Sequence, residues 1–301
     1  MLLSIFVGTG VQIFAMMFFL LIFACLGLIS PAYRGALVTA FYVFFILLSN
    51  ISGYYTARFY KMFQGTDWLL CTILVSFAYP WFVFTIFLIV NFAHWFEKSQ
   101  ATVPFPTILV LLFIFCALSV PNVWLGAFIG FKKPTIKNPG KMNRLSKEIP
   151  PQPFYFRMKI LVPLGGIIPF AAVFIEMLNV MASIWGAYFY YMFGFLFLIM
   201  VILVIACAEV SIVQTYLQLC SENYQWWWRS FFVSASSGIY LYLFSVYYFA
   251  VSLRMTRVSS VIVYYSCMLL ASVSFSLMAG TIGFLASFSF NRQIYSMIKS
   301  D

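Results

Sequence analysis

A chain of 301 residues that is 64% hydrophobic and 8% charged, with a mean hydropathy of +1.01, cannot hide its apolar side chains in a soluble core. An all-α polytopic membrane protein is expected, and no interruption between its apolar runs is long enough for a soluble catalytic module. The formal net charge of +10 does not point to nucleic acid, because the basic residues lie in short loops between apolar runs, where they set orientation.

Eight runs are long enough to cross a bilayer: 3–28, 37–57, 69–92, 108–128, 162–183, 190–219, 232–253 and 260–290. Assigning loops alternately to two sides places 13 cations on one: Arg58, Lys61, Lys132, Lys133, Lys137, Lys141, Arg144, Lys147, Arg157, Lys159, Arg229, Arg292 and Lys299. Only 4, Arg34, Lys98, Arg254 and Arg257, fall on the other. Both termini are therefore expected in the cytoplasm. Residues 1–301 read as one multi-spanning domain, with 131–159 as a basic, Pro-rich cytoplasmic loop and 291–301 as a cytoplasmic tail.

The first run starts at Met1 without a basic leader and reads as a span, not a signal peptide. Its Gly8, Gly10 and Gln12 allow close helix contact. In the second, Asn50-Ile-Ser52 matches a glycosylation acceptor but lies inside the span, out of enzymatic reach. Pro80 is expected to bend or locally unwind the third. The only histidine, His94, follows with no second ligand at metal-binding spacing, so neither a metal nor a cofactor is expected. The fourth holds Pro121 and the small pair Gly126 and Gly130. The six cysteines lack C-x-x-C spacing and read as small core residues. In the loop that follows, Pro134, Pro139, Pro150, Pro151 and Pro153 impose extended chain, and its cations suit either orientation or anionic headgroups.

Pro163, Gly165, Gly166 and Pro169 predict a broken start to the fifth span, after which Glu176, Asn179 and Ser183 share a face that cannot look at lipid. The stretch 193–230 carries a second acid, Glu209, with no basic residue within a helical turn. Glu209 shares a side with Ala206, Val213 and Tyr216, while Ser211, Gln214, Thr215 and Gln218 lie opposite; polarity on both sides predicts a helix surrounded by protein. If the fifth and sixth spans run antiparallel, the two acids differ in depth by roughly 12–18 Å. They would then be two stations of a proton or ion path, or two separate structural carboxyls. The stretch ends in Trp226, Trp227, Trp228 and Arg229, the composition of an interfacial anchor. Ser234, Ser236, Ser237 and Gly238 enrich the seventh run. In the eighth, Ser272, Ser276, Gly280, Gly283 and Ser287 form a small-residue ridge for packing within the bundle or for a client helix.

Several longer pieces carry a resemblance: GTG at 8–10, SPAYRG at 30–35, GAFIGFKKP at 126–134, IPPQPFY at 149–155 and GGIIPFAAVFIE at 165–176. FYYMFGFLFL, CAE, QLCSENYQWWWRSF, TIGFLASFSF and the terminal Lys299-Ser300-Asp301 add to them. The chain resembles the nonaspanins, the transmembrane nine superfamily of Golgi and endosomal membranes. That family has a large lumenal domain, one span and then eight more, and this chain looks like the last eight. The resemblance implies a non-enzymatic sorting or escort protein that helps membrane proteins with Gly-rich or polar transmembrane helices reach the surface. It also implies that Lys299 and Asp301 form a coatomer-binding, Golgi-retaining tail. Tyr295 and Ile298 fit a Tyr-x-x-apolar endocytic signal. A secondary or proton-coupled transporter using Glu176 and Glu209 is the alternative reading. An intramembrane enzyme has no H-E-x-x-H or paired aspartates to rest on.

Overall fold

The computed structural model describes residues 1–28, 34–97, 102–136, 148–152, 157–185, 193–253 and 257–297. Its helices are α1 (Leu2–Cys25), α2 (Arg34–Leu47), α3 (Ser49–Met62), α4 (Trp68–Phe96), α5 (Phe105–Ile114), α6 (Val120–Lys132), α7 (Met158–Trp185), α8 (Phe193–Cys220), α9 (Trp226–Ala235), α10 (Ser237–Ser252) and α11 (Val258–Met297). No strand occurs among the described residues. Seven continuous helical segments are long and apolar enough to span, with α5–α6 and α9–α10 each making one, and the pair Gly35–Leu47 and Ser49–Met62, bent by 41°, makes an eighth. The protein is thus an all-α polytopic bundle whose spans match the eight apolar runs one for one.

The chain forms two compact units. The first comprises Met1–Met16, Tyr42–Pro134 and Leu241–Phe275; the second comprises Met17–Phe41, Thr135–Tyr240 and Ser276–Asp301. α1, α2, α10 and α11 contribute to both.

In the first unit the bend between α2 and α3 has no proline to explain it, and what holds it is a set of side-chain donors. A bend opens the i→i−4 ladder and strands carbonyls on its outer side. Here Gln12 Nε2 donates to the Phe45 carbonyl at 2.9 Å, and Ser49 Oγ donates to Ile46 at 2.7 Å. Asn122 Nδ2 donates to the Ile46 and Leu47 carbonyls at 3.1 and 3.4 Å. Replacing Asn122 by leucine is expected to destabilise this unit by about 1–2 kcal/mol. Equilibrium unfolding in mixed micelles reads the change directly, and an unchanged midpoint would show that the bend holds without Asn122.

Close backbone approach fixes the rest of this unit. A Cβ on Gly126 would strike the Asn50 carbonyl, and one on Gly53 the Val123 carbonyl. At Gly130 a Cβ would lie 2.7 Å from Ala57 Cβ and 2.8 Å from the Tyr54 carbonyl oxygen. These contacts seat α3 and α6 nearly backbone to backbone, as small residues do in membranes. Ahead of Pro121 the chain takes a π-helical turn, Phe115–Ser119, which accommodates the missing proline N–H inside one continuous span. Lys61 Nζ donates to the Phe131 and Lys133 carbonyls, both at 2.8 Å, and Arg58 donates to Pro134. Basic groups read as orientation signals therefore also cap the C-terminal end of α6, where the helix dipole favours them.

α4 runs through Pro80 as a single helix. Tyr79 and Ser274 share a 2.8 Å hydrogen bond, and the fully buried Tyr264 donates to the Ser245 carbonyl at 2.7 Å. Just beyond α4, Glu97 accepts from the Ser259 backbone N–H at 3.3 Å, in the first turn of α11. Hydrogen bonding by Ser259, mainly from its side chain, holds the Glu97 carboxyl below its ordinary value of 4.5, with Arg257 and His94 adding a smaller pull. The folded-state value lies below the unfolded one. This cap is therefore fully in place above the ordinary carboxylate range and is lost as pH falls through the depressed folded value. The protection factor of the Ser259 amide, corrected for intrinsic exchange, is expected to fall over that acidic window, and Glu97→Gln is expected to flatten the dependence.

Candidate functional site

The second unit is built on a polar seam. Pro163 and Pro169 do not break α7, which is continuous from Met158 to Trp185; this corrects the expected broken start. The carbonyls of Leu161, Val162 and Pro163 accept from Gln214 Nε2 at 3.1 Å, Ser236 Oγ at 2.8 Å and Tyr240 OH at 2.8 Å. Gly165 and Gly166, one turn on, leave those carbonyls uncovered. A Cβ at Gly165 would lie 2.6 Å from Gln214 Nε2, and one at Gly166 would strike Ser236 Oγ. Three successive carbonyls in the first turns of α7 thus accept from side chains of α8, of α10 and of Ser236 at the junction between α9 and α10.

The inner stripe of α8 completes the seam, with Ser211, Gln214, Thr215 and Gln218 all buried. Ser211 and Ser234 share a 2.7 Å hydrogen bond, Thr215 donates to Ser287 at 3.0 Å, and Gln218 donates to the Gln225 carbonyl at 2.8 Å. On α11, Gly280 faces Phe231 and Ala235, where a Cβ would sit 2.9–3.0 Å away, and Gly283 faces Ser211 and Ser234. Gly280, Gly283 and Ser287 are therefore packed inside this unit. Ser276 is half-buried, and Ser272, in the first unit, is buried with no hydrogen-bond partner for its hydroxyl among the described residues.

The tryptophans do not close the sixth span. α8 ends at Cys220, and Trp226, Trp227 and Trp228 open α9 after a turn in which Glu222 has φ of 58°. Trp226 stacks on Phe284 with centroids 5.6 Å apart, and Trp228 on Phe232 at 5.3 Å. Arg229 is 6% exposed, a correction to its expected place in a cytoplasmic loop: at the fourth position of α9 its side chain turns into the unit.

The two acids have opposite surroundings. Glu176 is 1% exposed; its Oε2 accepts from Asn179 Nδ2 at 3.2 Å, and its Oε1 has no partner among the described residues. Asn179 is itself exposed, so the expected fully enclosed face of α7 is only partly enclosed. Glu209 is exposed and, among the described residues, makes no hydrogen bond or ion pair. Around it on the outer side of α8 lie Ile202, Ile205, Val213 and Tyr216, each 44–55% exposed. The expectation that α8 is surrounded by protein is thereby corrected: its polar stripe is enclosed and its acidic side is open. Glu209 stands 16 residues after Phe193 and 11 before Cys220, about 24 and 17 Å from the helix ends at 1.5 Å per residue. A carboxylate at such depth costs about 2.5 kcal/mol or more on insertion scales. Lys299 and Asp301 lie outside the described residues. Among the described residues, no three His, Cys, Asp or Glu side chains gather to hold a metal ion.

Eight apolar spans, joined by interhelical hydrogen bonds and carrying two carboxyls at membrane depth, define an integral multi-pass membrane protein. A profile of the family described as Endomembrane protein 70 matches residues 1–258. The chain is 45% identical over 300 residues to Transmembrane 9 superfamily member 8 of Arabidopsis thaliana, covering 100% of this chain and 46% of that relative. It is 44% identical over 301 residues to the human member 2, and 38% identical over 301 residues to the human member 4. Those matches cover 100% of this chain and 45% and 47% of the relatives. The chain belongs to the endomembrane protein 70 family, the transmembrane 9 superfamily, and is a multi-pass protein of the endomembrane system. It spans less than half the length of these relatives. No solved structure matches it.

Proposed function

We propose that the protein is a non-enzymatic sorting or escort factor of Golgi and/or endosome membranes, acting on other membrane proteins whose transmembrane helices are Gly-rich or polar. Both termini face the cytoplasm, and Lys299 with Asp301 offers the tail to coatomer. The observation that supports this reading is Glu209. The polar stripe on the opposite side of α8 is bonded to α7, α9 and α11, whereas this carboxyl faces outward in an apolar stripe and, among the described residues, makes no hydrogen bond or ion pair. A carrier would need Glu176 and Glu209 on one path. Instead one is buried beside Asn179 and the other is turned out, so the escort reading is preferred.

The test is surface delivery of a Gly-rich single-span reporter in cells lacking the family's own members. Expressing this chain is expected to raise delivery, Glu209→Leu to return it to background, and Glu176→Gln to leave it raised, with abundance and Golgi location held equal. Delivery that does not respond to the chain at all overturns the reading. Lys299→Ala with Asp301→Ala is expected to abolish coatomer capture by the tail.

A further inference from the structure

We infer that Glu209 is the recognition point for a transmembrane helix of another protein that carries a lysine or arginine at mid-depth. This rests on the escort reading and names the chemistry of its partner.

The outward side of α8 has the layout of a helix-packing surface. Ile202, Ile205, Glu209, Val213 and Tyr216 recur at steps of three and four residues, so they form one stripe along the helix. The small Ala206, one turn before Glu209 on the same side, leaves room for a second backbone to approach. Only Glu209 in that stripe carries charge, and the polar residues of the opposite face are already engaged with α7, α9 and α11.

Charge then selects among occupants. Lipid headgroups lie at the bilayer surfaces, too far from the middle of a span to reach this carboxylate. A second copy using the same face in a two-fold pair would bring two Glu209 side chains together, which like charge disfavours. A partner helix with a central lysine or arginine neutralises both charges in one contact, and each charge is otherwise costly in hydrocarbon. The flanking apolar side chains exclude water from the pair and set its depth.

The test uses the full chain in phosphatidylcholine nanodiscs, with p-benzoylphenylalanine in place of Val213 as a photocrosslinker. The probes are Leu/Ala single-span peptides with lysine, leucine or glutamate at the central position. The central-lysine peptide is expected to be captured at least tenfold more than the all-apolar one. Glu209→Leu is expected to remove that preference, and Glu209→Lys to transfer it to the central-glutamate peptide. Equal capture of all peptides, or a lysine preference that survives Glu209→Leu, overturns the inference, as does dominant crosslinking between two copies that the lysine peptide does not displace. The charge-swapped pair keeps the result decisive if Glu209→Leu folds poorly. Delivery of the Gly-rich reporter without any lysine preference would sink this inference and leave the escort reading standing. Lysine capture without reporter delivery would do the reverse.

Discussion

Gly126→Val is expected to abolish folded protein or cost about 3 kcal/mol or more. The atoms that a side chain at Gly126 would meet are the carbonyl oxygen, carbonyl carbon and Cα of Asn50. All three are backbone, so no rotamer change relieves the overlap, and α3 and α6 must separate. The measurement is the yield of monodisperse protein in detergent together with its thermal midpoint. Gly194→Ala is the matched control, because nothing lies within 4 Å of a Cβ built there. That change is expected to be neutral or to stabilise α8 by about 0.5–1 kcal/mol, the entropy a helical glycine forfeits. Equal behaviour of the two variants would refute the close α3–α6 packing.

Gly283→Ala is the corresponding change in the second unit, with an expected loss of about 2–3 kcal/mol. The new methyl would fall 2.5 Å from Ser234 Oγ and 3.0 Å from the Ser230 carbonyl oxygen, and would displace Ser211 Oγ from its bond to Ser234. Two of these three neighbours are hydroxyls that can be deleted. Ser211→Ala with Ser234→Ala is therefore expected to recover part of the loss in the Gly283→Ala background while destabilising the parent. A sign reversal of that kind is the signature of residues in direct contact. Additive effects would show that α11 does not meet α8 and α9 at Gly283.

The spans were legible because crossing a bilayer takes about twenty apolar residues, and that demand leaves an unmistakable pattern. The bend at Leu48 was not, since no proline or glycine marks it. Its donors Gln12, Ser49 and Asn122 stand far apart along the chain and make sense only together. The boundary between α8 and α9 was obscured because Trp and Arg suit a membrane interface at either end of a helix. Glu176 and Glu209 were singled out by residue type alone, yet their opposite surroundings could not be read there. Two polar stripes on one helix imply contact on both sides, and only the packing shows that the side of Glu209 is left open. Glu97 went unnoticed because a loop acid has no distinguishing neighbours until α11 is brought beside it.

The side-chain donors at the bend also order events during synthesis. Gln12 precedes the Phe45 carbonyl in the chain, but Asn122 follows Ile46 by 76 residues. At about 5–20 residues per second, Asn122 is made about 4–15 s after the carbonyls it will serve. During that interval Gln12 and Ser49 already serve the Phe45 and Ile46 carbonyls, and the Leu47 carbonyl is the one left waiting for Asn122, so the bent form of the second span is less stable in lipid by about 1–2 kcal/mol than it becomes later. The bend is thus held first by donors made before or with it, and the fourth span fixes it on arrival by bringing Asn122 to Ile46 and Leu47.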